Sequence, residues 1–433
     1  MSEFEFYRET NLKEVELNGR RVKIPEEWEV KKIKDAGRVV TGKTPPTKKK
    51  ELWNGDIPFI TPADFRGTPY VYHTERRVTK EWAEVSKVLL PPKTVLVVCI
   101  GSIGEVALTF TESVTNQQIN AIIPFDNVDP EFIYYSMKLY GPMLKTWAGT
   151  VAMPIVKKSL FEKFQIPLPP LEEQKKIAEI LRTIDEAIQA VDESIAKLER
   201  LKRGAMEELL TRGIGHTRFK EVELNGRRMK IPEEWKIEKL GALLLLLRNG
   251  LTKRQNKLGN GYPVTRIETI ANGCINPDNV GYVENVTPIE IEKYRLIPGD
   301  ILFSHINSLE HIGKTAIYEG KPKLLLHGMN LLLIRANPTK IYPYYLLMIL
   351  RFYRAKSLFR NIAKKAVNQA SINQTELKKL EIPLPPLSEQ KKIAEILRTI
   401  DEAIETKRQK KEKLERMKRA VMEKLLTGEI RIR

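Results

Sequence analysis

The chain has 433 residues, 42% hydrophobic and 30% charged, and carries a formal net charge of +18, enough length for two or three domains with their own cores. No apolar run is long enough to cross a bilayer (ALLLLL at 242–247 and YYLLMIL at 344–350 read as buried strand or core helix), and two isolated cysteines exclude a disulfide framework or a cysteine-based zinc site. The excess of basic residues points to a polyanion, nucleic acid first; the competing reading is the solubilising Lys/Glu surface of heat-adapted proteins.

In chain order, MSEFEFYRET lacks the basic and apolar regions of a secretion signal, and a reducing cytoplasm is expected, with Cys99 and Cys274 as buried small hydrophobes. EVELNGRRVKIPEEW follows at 14–28. Next, Gly37-Arg-Val-Val-Thr-Gly42-Lys43-Thr44 matches the phosphate-loop pattern letter for letter. Its context is wrong, because no apolar strand precedes it, and Pro45-Pro46-Thr47 with three lysines discourages the helix such a loop must open. Nucleotide binding through Lys43 is therefore a minor reading. The stretch from 29 to 165 reads as a mixed α/β globule, with a β-rich run at Thr94–Ile100 and a helical pattern at 131–146. Lys43, Lys48, Lys49, Lys50, Arg66, Arg76 and Arg77, interleaved with Tyr70 and Tyr72, are its candidate DNA contacts.

IPLPPLEEQKKIAEILRTIDEAI at 166–188 opens a helix of about 40 residues, roughly 60 Å long. Pro169 and Pro170 suit its first turn and Gly213 its end. Ile177, Leu181, Ile184, Ile188, Val191, Ile195 and Leu198 alternate spacings of four and three, the seam of a coiled coil. The acidic pairs Glu172/Glu173 and Glu207/Glu208 read as solvated surface.

The first block then returns at 221–235 with Met229 in place of Val22, and the second at 382–404 with Ser388 in place of Glu172. Between them, 236–381 is a second, diverged α/β stretch with a β-rich run at Asp300–Phe303 and a helical pattern at 342–359. PPKTVLVV, IGEVAL and INAII correspond to IPGDILFS, IGKTAI and MNLLL, so one fold is kept while its surface changes. The candidate DNA contacts here are Arg248, Lys253, Arg254, Gln255, Lys257 and Arg266, and later Lys364, Lys365, Asn368, Gln369, Asn373 and Gln374. Arg, Asn and Gln suit base edges, and lysines suit phosphates. His305 and His311 share this stretch, but six-residue spacing is not a recognised metal pattern. The final helix carries the seam Ile393, Leu397, Ile400 and Ile404, interrupted at Lys407 and Lys411 and resumed at Leu414, Val421 and Leu425, and ends near Gly428.

A narrow seam of that length finds its obvious partner in the other copy. Similar neighbourhoods at both ends favour an antiparallel pair; a parallel coil or self-dimerisation is the alternative. Packing accounts for identical seam residues but not for identical outward ones. Gln174, Lys175, Lys176, Glu179, Arg182, Asp185 and Glu186 recur as Gln390, Lys391, Lys392, Glu395, Arg398, Asp401 and Glu402, which suggests that one protein docks on both copies. Recent duplication is the alternative, and it leaves the divergence of the intervening stretches unexplained.

WNGDIPFITPADF at 53–65, the GKTP turn at 42–45, INAI at 119–122 and the paired IPLPPLxEQKKIAEIL blocks together resemble the specificity subunit of type I restriction–modification enzymes, over essentially the full length. The resemblance implies a non-catalytic subunit. Two target recognition domains each read half of a bipartite double-stranded DNA target, and an antiparallel pair of helices sets the spacer. The repeated segments bind two methyltransferase subunits, which carry S-adenosylmethionine, and a restriction/translocase subunit can join them. No cofactor or metal is expected on this chain, which also lacks the Asp/Asn-Pro-Pro-aromatic run of an adenine methyltransferase, a glycine-rich dinucleotide loop, GxSxG and HExxH. The second stretch departs from the first by three extra residues, Leu309–His311, and by GNGYPVTRIETI.

The expected fold is α+β with a pseudo-two-fold internal repeat. A first target recognition domain at 1–165 and a second at 214–381 are joined by long coiled-coil helices at 166–213 and 382–433. The rival function is a basic coiled-coil scaffold that binds nucleic acid without sequence choice.

Overall fold

The computed structural model describes residues 5–149, 154–365 and 369–432. Contacts group the four expected segments into two compact units, Met1–Ser194 with Lys407–Arg433, and Ile195–Thr406. Both long helices, Leu171–Thr211 and Leu387–Leu426, therefore contribute one end to each unit.

In the first unit a five-stranded sheet runs in the order Gly37–Thr41, Ile119–Pro124, Val95–Val98, Val106–Thr109, Tyr70–Val71. Val95–Val98 is buried on both faces. Alternation along the strand sends Val95 and Val97 into a core with Phe132 and Ile133 of the helix Pro130–Tyr140, and Leu96 and Val98 into a second core with Ile60 and Val71. In the second unit the order is Leu244–Asn249, Leu332–Ala336, Ile301–Phe303, Thr315–Ile317. These four strands correspond one for one to the first four above. The matches expected from PPKTVLVV and IGEVAL fall on them in register, but Ile122 pairs with Val95 as Ile334 pairs with Ile301, so INAII corresponds to residues 331–335 and not to MNLLL two positions earlier. Each sheet is covered by the helix that follows it, Pro130–Tyr140 or Pro343–Ala355. Both helices stop short of the patterns at 131–146 and 342–359. The first tightens into a 3-10 turn at Gly141–Trp147, and the second breaks at Ser357, whose φ of 62° lies in the left-handed region. The insertion Leu309–His311 is absorbed in a turn where the Ile312 amide donates to the Ser308 carbonyl.

The repeated blocks build one junction per unit. ELNGR folds into hairpins, Leu12–Leu17 with Arg20–Pro25 and Phe219–Leu224 with Arg227–Pro232. Their Asn-Gly turns have both residues at positive φ, the geometry that matches strand twist. Asn18 exchanges hydrogen bonds with the Gln165 backbone through its side-chain amide, at 2.8 Å each way, and Asn225 does the same with Glu381 at 2.9 Å. These contacts fasten each hairpin to the strand that carries IPLP, which itself pairs antiparallel with the strand after the tryptophan (Gln165–Leu168 with Glu29–Lys32; Glu381–Leu384 with Lys236–Lys239).

Pro169 and Pro170 lie just before the helix rather than inside it: Leu171 is the first helical residue, and the Pro170 carbonyl accepts the Gln174 amide at 3.0 Å. Glu173, expected in solvent, is buried. It accepts from the Trp28 indole at 3.1 Å and from both Nε and Nη2 of Arg431 at 3.1 and 2.9 Å. In the second unit Glu389 accepts from the Trp235 indole at 3.2 Å and meets His216 Nε2 at 2.9 Å. A second expectation also fails, because Cys99 is buried but Cys274 is exposed.

The helix ends close onto the same junctions. Gly213 and Gly428 have φ of 69° and 74°, and a Cβ on either would collide, at 2.5 Å with Glu389 Oε1 and at 2.3 Å with Pro25. Glycine is required there twice over, for its backbone conformation and for the close approach.

Within each unit the helix segments run antiparallel. Asp185 pairs with Lys418 at 2.5 Å and Asp192 with Lys411 at 2.7 Å in the first unit; Lys202 pairs with Asp401 in the second. Asp185–Lys418 and Lys202–Asp401 are the same ion pair in the two copies of the repeat. Lys411 thus breaks the apolar seam to meet an acid on the facing helix. Of the seam residues, Ile177, Leu181, Val191, Ile393, Leu397, Ile404 and Leu425 are buried.

Glu173→Ala leaves the Arg431 Nε and the Trp28 indole N–H without their acceptor, while Glu9 and Glu27 still hold the guanidinium charge. It is expected to cost the first unit about 1–3 kcal/mol, read as faster hydrogen exchange in the hairpin at 12–25 with little change at 219–232.

Candidate nucleic-acid interface

In the first unit, a smaller sheet gathers basic residues that are far apart in sequence. Trp53–Ile60 lies between Val114–Thr115 and Arg76–Val78, with Phe59 opposite Arg76 and Pro58 opposite Arg77. The Asn54-Gly55 step produces a register shift between Trp53 and Ile57, and Gly55 has no room for a Cβ against Val78 and Thr79. The guanidinium of Arg76 lies over Trp53 and Phe59, 5.4 and 5.1 Å from the ring centroids, with the two rings edge to face. The Trp53 indole donates to the Pro46 carbonyl at 3.4 Å, which holds the turn bearing exposed Lys48, Lys49 and Lys50 beside the stack. Trp53 was not among the sequence candidates; its place at the head of WNGD was the available signal.

The other candidates of this unit are dispersed. Exposed Lys43 donates to the Ser86 carbonyl and Arg77 to the Asp56 carbonyl. Arg66 is exposed in a loop tied down by buried Asp64, which accepts from the Thr61 amide and hydroxyl and from the Glu75 amide. Tyr70 is engaged elsewhere. Its hydroxyl donates to Glu131 at 2.6 Å, and burial beside that carboxylate pushes its pKa up. Tyr72 is 48% exposed and packs on Phe110. Residues 37–44, the phosphate-loop look-alike, form a strand and a loop; Gly42 packs against Thr115 and Asn116, and no helix opens after it.

In the second unit, Arg248 is half-buried over Tyr294 at 5.1 Å, its Nε lacks a partner, and desolvation lowers its pKa. Lys253 is spent on Glu290 at 2.7 Å and on the Asn285 carbonyl, and it holds the Glu290 carboxyl down at about 2. Arg266 donates from Nη1 to Gln255 Oε1 at 3.2 Å and from Nε to Glu268 at 3.3 Å, while Arg254 and Lys257 point to solvent. Lys364, Lys365 and Gln369 are exposed, and Asn368 falls outside the described residues. Asn373 has a structural task, accepting the Glu376 amide as N-cap of the helix Gln374–Lys378. His305 is buried and His311 exposed, and no group of metal-binding side chains occurs among the described residues.

The docking candidates divide. Gln174 and Gln390, expected outside, are inside. Gln174 accepts the Asp129 amide and donates to the Pro169 carbonyl; Gln390 accepts the Tyr342 amide and donates to the Pro385 carbonyl. Asp185 and Asp401 are also consumed, in the interhelical pairs. The remaining Lys175, Glu179, Arg182 and Glu186, with Lys391, Glu395, Arg398 and Glu402, are exposed. Each set lies two residues out of step with its seam, about 200° around the helix and so on the far face. Arg182 reaches Glu131 at 3.0 Å, and Arg398 lies over Tyr344 at 4.9 Å beside a cavity of about 530 Å³ that includes Glu319 and Tyr342.

The family model described as type I restriction modification DNA specificity domain matches residues 25–200 and again 232–416. The MjaVIII specificity subunit of Methanocaldococcus jannaschii, a type I restriction enzyme component, is 31% identical over 443 residues, covering 99% of this chain and 98% of its own length. The putative MjaX specificity subunit of the same organism is 57% identical over 209 residues, 48% of each chain. The EcoKI specificity subunit of Escherichia coli is 27% identical over 88% of this chain and 82% of its own. In fold, the chain is similar to the S subunit of a type I restriction-modification system from M. genitalium, with a TM-score of 0.61 at 14% identity, covering 92% of this chain and 96% of that one. No helix among the described residues is long and apolar enough to cross a membrane.

Gln174→Ala or Gln390→Ala leaves two buried backbone groups unpaired and is expected to destabilise its own unit by about 1–3 kcal/mol. Lys175→Ala and Glu179→Ala should stay within about 0.5 kcal/mol of the parent, as thermal denaturation will register.

Proposed function

Because this chain belongs to the family of DNA specificity subunits of type I restriction–modification enzymes, itself non-catalytic, we propose that its two units read the two halves of a bipartite duplex target while two copies of one methyltransferase subunit dock on its repeated helix faces. The observation that carries this reading is the contrast within each unit. The exposed charges Lys175, Glu179, Arg182 and Glu186 recur unchanged at Lys391, Glu395, Arg398 and Glu402, while the basic residues on the two small sheets do not correspond. Internal contacts explain the repetition of Gln174 and Asp185; they do not explain that of Lys175 or Glu179, which point to solvent.

S-adenosylmethionine is assigned to the methyltransferase partner, and DNA to this chain. Binding is bivalent: each unit alone holds its half-site weakly, and engagement of the second half is effectively intramolecular. The lengths of the two helices govern the spacer of the target. A restriction/translocase subunit would join through the assembled methyltransferase.

Two experiments test the proposal. Glu179→Lys with Glu186→Lys should remove one methyltransferase copy, and the same changes at Glu395 and Glu402 the other, as native mass spectrometry of the complex would resolve; loss of both copies from either pair of changes contradicts separate docking faces. Four residues inserted into each helix should lengthen the target spacer by about 6 Å, one or two base pairs at ~3.4 Å each. Methylome sequencing reads this directly, and an unchanged spacer contradicts the ruler.

A further inference from the structure

The two small sheets are built alike although their sequences have diverged. In the first unit, Asn54-Gly55 leads to Pro58 and Phe59, opposite Arg77 and Arg76. In the second, Asn260-Gly261 leads to Pro263 and Val264, opposite Tyr282 and Gly281. Gly55 and Gly261 both press on the partner strand, where a Cβ would come within 2.5 and 2.1 Å of the Val78 and Val283 carbonyls. Thr61 and Arg266 occupy the same place: the Thr61 amide donates to the Asp64 side chain at 2.8 Å and the Arg266 amide to the Thr269 side chain at 2.9 Å.

On this shared frame the position of Arg76 corresponds to Gly281. The glycine is not an empty place. A Cβ there would meet Gln255 Oε1 at 2.5 Å and Arg266 Cδ at 3.2 Å. An arginine side chain therefore passes the same point of both sheets, supplied by the outer strand in one unit and by the loop after the inner strand in the other. Both are held in place before any ligand arrives. Arg76 is stacked on Trp53 and Phe59 and, among the described residues, has no carboxylate partner. Arg266 is oriented by Glu268 at Nε and Gln255 at Nη1. Flanking each is the loop that follows the first strand of the larger sheet, bearing Lys48–Lys50 or Arg254 and Lys257.

We infer that this sheet position is a base-reading point of each half-site: Arg76 in the first unit, and Arg266 held by Gln255 in the second, each recognise a guanine. A preorganised guanidinium, exposed at Arg76 and half-buried at Arg266, offers two parallel donors, and guanine alone presents the matching pair of acceptors, N7 and O6, in the major groove. Gln255 uses its oxygen on Arg266 while its amide nitrogen lies beside buried Gly328, so its task is to orient that guanidinium. The lysines beside each arginine contact phosphates and carry no base preference. Replacing the arginine of the outer strand by one from a neighbouring loop shifts the reading group without disturbing the sheet, a route by which half-site specificity diverges.

The inference rests on the reading of the chain as a sequence-specific DNA subunit. Its test uses the full chain in complex with its methyltransferase, bound to duplexes in which each half-site position is randomised in turn. The parent complex is expected to select guanine in both halves. Arg76→Ala should lower guanine preference at one position of one half-site about tenfold to a hundredfold and leave the other half intact; Arg266→Ala should do the reverse. Arg76→Lys keeps the charge and the fold but lacks the fork, and should lose the same discrimination. Combined Lys48→Ala, Lys49→Ala and Lys50→Ala should weaken binding to all sequences alike and lower the salt slope by up to about 3. A half-site without guanine, or Arg76 variants that bind more weakly with the motif unchanged, would overturn the assignment while leaving sequence-specific recognition standing. A parent complex with no preference at any position would overturn both.

Discussion

A carboxylate at the start of each long helix holds this molecule together. Glu173 and Glu389 each accept the indole N–H of a tryptophan that follows a hairpin, and each is met from the far end of the other helix, by Arg431 or by His216. Hairpin, tryptophan, IPLP strand, helix start and helix end meet at that point. A buried carboxylate is tolerated only with its hydrogen bonds complete, so none of these pieces is free to change alone. The near-identity of the two repeated blocks follows from that requirement as much as from any partner.

Arg431 and His216 show how far the two junctions are allowed to differ. Arg431 serves Glu9, Glu27 and Glu173 together and so ties in the N-terminal strand Phe6–Arg8, which pairs with Ile430–Ile432. His216 faces Glu389 at the corresponding place. The fixed chemistry is a donor to the helix-starting carboxylate; the identity of that donor is adjustable.

Away from the junctions a different balance holds. The central strands keep one order in both units, and side chains from both faces fill cores, so most exchanges there are apolar, such as Val97 for Phe303, with a few polar ones such as Val106 for Thr315. The small sheets beside them are solvated on one side, and there arginine, glycine, tyrosine and glutamine trade places. A scaffold closed by buried polar bonds can carry two variable surfaces because the bonds that specify it lie elsewhere.

Much of this was legible in the sequence. The repeat, the helices and their seam, and two of the three strand matches are local or periodic features, and local geometry is written in spacing. The sequence also refused the phosphate loop at 37–44, since the chemistry of its neighbours excluded the helix it requires. Whether a polar residue faces solvent or a buried partner was not legible, because that depends on what the rest of the chain brings opposite it. Gln174 and Glu173 look like surface beside Lys175 and Glu172, yet backbone amides and an arginine more than 250 positions away draw them inside. Lys411 looks like a flaw in an apolar seam until Asp192 meets it, and Arg76 is one basic residue among many until Trp53 and Phe59 come to lie beneath it. Periodicity determined the repeat and the two long helices; only tertiary structure, by choosing the partner of each polar group, decided which charges support the fold and which remain available to a ligand.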